Sequence, residues 1–491
     1  MAGMWNDEKG GGMYKANVLH LGFAFFLVYT AFSGIQNLST SLIHPKSLGT
    51  ATIGTLYVIF AASCLVGPAF VARVGNSKSL AFGFCCMCFF CVAYVVASND
   101  NNLQTLNWPV LMLAGAAVGF AASPIWVAQG AYITQQAKLW SAACPPLDAA
   151  GNAIVGAADA IPRMGDANGI FWACFQATQI SGNILPSVML HAGASNTAVF
   201  LVYLVFAICG TLVASRLRKP PAEAAELVTE APQELTPVME SVTSMVGAWS
   251  NPRMYSLIPI IMFSGLEMGF IWGDFTANYV KPTLGKADIG YVMCIFGVSD
   301  IFFSFLFGKL SDMPSIGRMP ILALGGVAQL VIMIVSLGLE IPDCTSAALP
   351  LDPKTGLNPY ADDGGCLVAF NGLHKQYPAI FTKDYGTESS WWLKLIAMAF
   401  VWSIGDAAWN TQLNSIISET FTDDPAPGFA NLKLWQSLMT GAAFFYAIVT
   451  TGSERLYVMF AVLALGGLGL LNLRYNVANK SPTLNEPLIS A

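Results

Sequence analysis

Charge is what this sequence lacks. Of its 491 residues, 11% are charged and 55% are hydrophobic, against about 25% charged in an ordinary soluble domain. A chain so poor in charge cannot solvate its surface in water, which excludes a soluble globular protein and leaves an integral membrane protein. The shortage is uneven. Acids are absent from the first six apolar runs, and bases within runs are confined to His20, Lys394 and Lys433 near the run ends. An organic anion needs a buried base to neutralise it, so a cation or a proton fits this interior better. No nucleophile–base set and no metal-ligand spacing occur, so no catalytic residue, cofactor or metal is expected. Cys85, Cys86, Cys88 and Cys91 have no His or acid beside them and read as helix packing. The net charge of −6 lies mostly in loops and gives no reason to expect a nucleic-acid partner.

What the chain has is apolar length. Runs of about 18 or more residues with few charges lie near 17–36, 50–72, 79–98, 108–132, 169–190, 196–216, 254–274, 288–308, 319–340, 391–412, 429–451 and 455–474. The expected fold is therefore all-α, with twelve transmembrane helices in two parallel six-helix halves set among membrane lipid. Fifteen Lys and Arg fall on the side of the N-terminus and eight on the other, which places both termini in the cytoplasm. The expected divisions are a tail over 1–16, a first half over 17–216, a linker over 217–252, a second half over 253–474 and a tail over 475–491. The linker is rich in Pro and Glu, but Met239, Val242, Met245, Val246 and Trp249 near its end have the spacing of a short amphipathic helix. Cys344 and Cys366 share the long loop on the non-cytoplasmic side, where an oxidising compartment favours a disulfide. Asn37 heads the sole glycosylation sequon but abuts the first run, and reads as a buried polar residue.

The halves echo each other. Ile53-Gly54, Ile59-Phe60 and Ser63 recur at the same spacing as Ile289-Gly290, Ile295-Phe296 and Ser299. In register with this repeat, Cys64 aligns with Asp300. A fainter echo sets Ser123 and Trp126 against Asp406 and Trp409, and a third sets Gln176 and Gly182 against Gln436 and Gly441. Parallel repeats of this kind build transporter-type folds, with a binding site at the interface of the copies.

Glu267, Asp274, Asp300 and Asp406 are the acids within runs. A carboxylate at bilayer depth costs at least ~2.5 kcal/mol, so it faces a cavity, an ion path or a hydrogen-bonding neighbour. Glu267 and Asp274, seven apart, are expected on one helix face. Gln129, Gln176, Gln179, Asn183, Asn410, Gln412 and Gln436 either line the same cavity or bond between helices. Gly308, Asp312 and Arg318 form a loop pattern of the major facilitator type, with Met313 where a base is usual. It bears on conformational switching, the small Gly letting two helices approach.

Five runs carry a family resemblance: 33–38 (Ser-Gly-Ile-Gln-Asn-Leu), 123–132 (Ser-Pro-Ile-Trp-Val-Ala-Gln-Gly-Ala-Tyr), 175–183 (Phe-Gln-Ala-Thr-Gln-Ile-Ser-Gly-Asn), 405–412 (Gly-Asp-Ala-Ala-Trp-Asn-Thr-Gln) and 433–437 (Lys-Leu-Trp-Gln-Ser). The chain resembles the Unc-93-like branch of the major facilitator superfamily from about 15 to 475. The resemblance implies no catalytic motif. It implies a regulator of potassium homeostasis, or an accessory subunit whose partner is a potassium channel or another membrane protein. The alternatives are a proton-coupled transporter of a cationic or neutral solute, using Glu267, Asp300 or Asp406, and, more weakly, a trafficking chaperone.

Overall fold

The structure is a computed structural model that describes residues 12–98, 104–144, 164–218, 238–311, 316–352, 358–420 and 426–477. Asp312, most of the linker, and the greater parts of both expected tails lie outside the described residues. Within them the chain is helical and contains no strand. The first seven helices are α1 (Gly12–Leu42), α2 (Lys46–Ser63), α3 (Gly67–Val74), α4 (Asn76–Ala97), α5 (Gln104–Ala143), α6 (Met164–His191) and α7 (Asn196–Ser215). A short helix α8 (Val238–Gly247) ends the linker. It is followed by α9 (Pro252–Gly269), α10 (Ile289–Ser311), α11 (Arg318–Gly338), the loop helix α12 (Leu367–Gln376), α13 (Glu388–Thr420), α14 (Ala426–Val449) and α15 (Gly452–Asn472).

Eight of the described helical spans are long and apolar enough to cross a membrane, or nine when α2 and α3, bent by 72°, count as one. The expected twelve is thus not reached. The shortfall lies in α6, α13 and α14, with 28, 33 and 24 residues, all longer than the roughly 20 a span needs. What they lack is hydropathy. Gln176, Gln179 and Asn183 on α6, Asp406, Asn410 and Gln412 on α13, and Asn431, Lys433 and Gln436 on α14 dilute each apolar run. The helices least like membrane spans are those that carry most of the candidate site residues.

Packing repeats as the sequence does. In the first half α1 lies against α6 and α7, α5 against α2 and α4, and α4 against α7; in the second, α9 lies against α14 and α15, α13 against α10 and α11, and α11 against α15. Two further contacts join the halves, α2 with α14 and α6 with α10. Glycines from the repeat stand at both. A Cβ on Gly54 would lie 3.1 Å from Phe445, and one on Gly290 only 1.9 Å from the Asn183 carbonyl oxygen.

The halves are bonded to each other at the end of the bundle away from the first residues of α1. His191 pairs with Asp288 at 2.7 Å, the Lys46 ammonium donates to Asn278 at 2.5 Å, the Lys281 ammonium donates to the Ser41 carbonyl at 2.9 Å, and the Thr40 hydroxyl donates to the Gly273 carbonyl at 3.3 Å. The long loop sits over this end. Cys344 and Cys366 are joined by a disulfide, the Gly365 amide donates to the Lys281 carbonyl at 2.9 Å, and Lys286 pairs with Asp363 at 2.6 Å. At the opposite end, α8 and the turn after it dock on α14. The Asn431 amide donates to the Met245 carbonyl at 2.8 Å and accepts from the Trp249 indole.

A methyl at Gly290 has no room without parting α6 from α10. Gly290→Ala is expected to destabilise the protein by about 1–3 kcal/mol, read as a lowered unfolding temperature in detergent. Gly308→Ala, whose Cβ meets nothing within 4 Å, is the control expected to leave it unchanged; equal midpoints for the two would contradict the packing.

Candidate functional site

Glu267, Asp300 and Asp406 come from α9, α10 and α13 and lie close enough to repel one another. Their surroundings differ. Glu267 is 0% exposed and accepts from the Gln329 amide of α11, which also donates to the Trp402 carbonyl at 3.2 Å. The Trp409 indole stands beside it. Glu267 is therefore sealed among helices, as a buried acid must be to offset its lost hydration. Asp300 and Asp406 stand beside each other where α10 packs on α13. Asp406 is half-buried and also bonds Asn410.

Lys433 changes the reading of the interior. It lies about 10 Å along α14 from the first residue of that helix, at 1.5 Å per residue, and its charge faces Asp406. It donates to the Gln436 carbonyl oxygen at 3.2 Å, and Gln436 in turn donates to the Ser264 hydroxyl at 3.3 Å. The Lys433 side chain is exposed although titratable groups from both halves act on it. Arg455 is a second base, one that its place at a run end assigns to the loop side. It is buried near the start of α15 and pairs with Asp274 at 2.9 Å, their side chains 7% and 9% exposed. Another of its nitrogens donates to the Ala447 and Thr450 carbonyls at 2.9 and 2.7 Å. The exclusion of a buried base thus fails at Arg455.

Glu267 and Asp274 do not act together. After Gly269 the backbone passes into wider i→i+5 turns over Phe270–Val280, which break the 3.6-residue register that seven-residue spacing presumes. Glu267 faces α11 and α13, whereas Asp274 faces Arg455 and accepts from Asn278 at 2.7 Å.

The repeat mates of the central acids also touch. The Cys64 thiol lies beside the Ser123 hydroxyl, and Lys433 is the charged group that acts on this thiol. One pair position is thus Cys64 with Ser123 in the first half and Asp300 with Asp406 in the second. Trp126, the mate of Trp409, lies instead in an aromatic cluster with Tyr29 at 5.6 Å, Phe175 at 5.2 Å and Trp172 at 6.1 Å.

Two of the remaining amides bond to other side chains. Asn183 accepts from buried Asn37 at 2.6 Å and donates to the Gln179 carbonyl at 2.6 Å. Gln412 donates to the Thr411 hydroxyl at 2.9 Å and accepts from Arg318 at 3.5 Å. Gln129 is buried on α5, and Gln176 half-buried on α6. Arg318 therefore ties the start of α11 to α13, while Gly308 makes no close helix approach. Sequence reasoning missed Gln329, Arg455, Cys64 and Ser123 as site members. The repeat alignment held the signal for the last two.

The sequence profile described as "Ion channel regulatory protein UNC-93" matches residues 43–140, 151–358 and 387–471. The chain belongs to the UNC-93 family. Among UNC-93 relatives, protein unc-93 homolog A of Bos taurus is 27% identical over 91% of this chain and 90% of that protein. UNC93-like protein 3 of Arabidopsis thaliana is 29% identical over 92% and 85%. Solved transporters share the fold: the nucleoside transporter NupG has a TM-score of 0.58 at 11% identity over 94% of this chain and 100% of its own, and a point mutant of the peptide transporter POT 0.57 at 12% over 93% of each. This UNC-93 protein is thus a multi-pass membrane protein of the major facilitator fold.

Removing one partner of a buried ion pair leaves an uncompensated charge. Asp274→Asn is expected to cost about 3–5 kcal/mol, and the double replacement Asp274→Leu with Arg455→Met much less. Unfolding of purified variants in detergent checks this; a double variant no better than the single would contradict the pairing.

Proposed function

We propose that this chain is a non-enzymatic regulator of ion homeostasis, potassium above all, acting as an accessory subunit of a potassium channel with both termini in the cytoplasm. The observation that carries this reading is the family match, which extends through both halves and does not stop at a shared scaffold. Fold alone does not decide between regulator and carrier, since one scaffold hosts unrelated functions. The site supports a restrained role. Asp274 is committed to Arg455, and Glu267 is sealed against Gln329, so two of the four acids serve the packing of the second half.

A second reading, a proton-coupled transporter of a cationic or neutral solute, is favoured by one observation: the Asp300–Asp406 pair faces a solvent-accessible Lys433. The two readings part in one assay. Protein reconstituted in liposomes is expected to carry no potassium or proton flux, and a potassium channel co-expressed with it is expected to change its current. Flux that vanishes in Asp300→Asn and Asp406→Asn would overturn the regulator and establish the carrier.

A further inference from the structure

Helix α8 is docked on one side and bare on another. Met245, and Ala248 in the turn after α8, are buried. The Asn431 amide of α14 donates to the Met245 carbonyl at 2.8 Å and accepts from the Trp249 indole. The Trp249 ring packs on Trp435 of α14, their centroids 5.7 Å apart. Met239, Val242 and Val246 share the neighbouring face at i, i+3 and i+7. Met239 is 73% exposed and Val246 43%, while Val242 is half-buried.

The level of this face in the bundle says what covers it. The membrane span Pro252–Leu284 begins three residues after Trp249. The Asn472 amide near the end of α15 donates to the Ser256 hydroxyl in the first turns of α9 at 2.8 Å, so the two spans reach this end together. Tyr255, beside Ser256, and Tyr475, one turn past Asn472, are both exposed, and the Arg474 guanidinium lies 5.5 Å from the Tyr475 ring centroid. Exposed aromatic rings at the ends of spans mark the head-group level of a bilayer. The chain passes from α8 into α9 at that level, so the bare apolar face meets the same lipid that surrounds the spans.

Composition says which property of the lipid it meets. An interfacial helix that reads surface charge carries Lys and Arg on its polar face. α8 has neither: its one charged residue is Glu240, and Ser241, Thr243 and Ser244 make up the rest of its polar side. Such a helix gains nothing from an anionic head group. It is held by the apolar area that Met239 and Val246 withdraw from water, and they can do so only where head groups part.

We propose that α8 is a lipid-packing sensor: Met239 and Val246 enter gaps between the head groups of the leaflet on the side of the N-terminus, and the contacts with Asn431 and Trp435 pass the position of α8 to the start of α14. The coupling is short, since Asn431 is two residues from Lys433 and five from Gln436. The inference goes beyond both functional readings, because the leaflet can set a regulator or a carrier alike.

The test compares lipids. The full-length protein is reconstituted in nanodiscs of loosely packed dioleoylphosphatidylcholine, with and without dioleoylphosphatidylglycerol, and of tightly packed palmitoyl-oleoyl phosphatidylcholine with cholesterol. Amide hydrogen exchange is read over 238–250 and 426–437. Exchange in α8 is expected to be slower in the loosely packed lipid by on the order of tenfold, the weight of one partly buried apolar side chain. The start of α14 is expected to follow it, and phosphatidylglycerol to change neither. In Met239→Ser/Val246→Ser both differences are expected to vanish, with an unchanged unfolding temperature in detergent because both side chains are exposed. A benzoylphenylalanine photo-cross-linker at position 246 is expected to capture phospholipid, a readout that stands whether or not the double variant folds. Capture of a second copy of the chain without lipid, or no adduct, would overturn the proposal. So would exchange that follows phosphatidylglycerol rather than packing, a start of α14 that ignores α8, or a lipid difference kept in folded Met239→Ser/Val246→Ser.

Discussion

Gly54 and Gly290 hold the same place in the repeat, and at both the opposite half comes too near for an unhindered side chain. These close approaches, α2 with α14 and α6 with α10, join the halves, and most of what the interior does depends on them. They bring Cys64, just after α2, within the field of Lys433 on α14, so the central charges belong to an interface rather than to one half. The bonds of His191 with Asp288 and of Lys281 with Ser41 draw the halves together at one end. Gly441 extends the logic, its Cβ position lying against Val58.

Charge is where the halves part. Cys64 with Ser123 and Asp300 with Asp406 are the same contact in two chemistries, one neutral and one ionisable. An acid at depth carries a cost of at least ~2.5 kcal/mol, and the structure offsets it differently at each position. Asp274 has Arg455, Glu267 has Gln329, and Asp406 has Asn410 and the charge of Lys433. In the first half Trp126, the repeat mate of Trp409, packs in an aromatic cluster. A scaffold shared with transporters thus keeps an asymmetric interior in a family of channel regulators.

Much of the fold was legible in the sequence because apolar length and repetition are local signals. Each apolar run falls on helix, the run 50–72 on the bent pair α2 and α3, and Gly54 and Gly290 announced the repeat. The span count was less legible: α6, α13 and α14 bury amides and charges inside the bundle, and a helix that faces neighbours need not look apolar. The site was half legible. Asp300 and Asp406 stood out by type and depth, but their contact depends on how α10 crosses α13. Arg455 follows Gly452-Ser453-Glu454 and reads as loop, until the N-terminal turn of α15 and the nearby Thr450 carbonyl draw it inward. Glu267 and Asp274 misled because seven-residue spacing assumes a regular helix, and wider turns begin at Phe270.

The central claim is that the repeat places positions 300 and 406 in direct contact at the heart of the second half. Its most direct measurement is site-directed cross-linking: Asp300→Cys and Asp406→Cys installed together, mild oxidation in membranes, and mass spectrometry of the digested, non-reduced protein. The account predicts a peptide that links position 300 to position 406. Folded protein in which both cysteines stay free and unlinked after oxidation would contradict it.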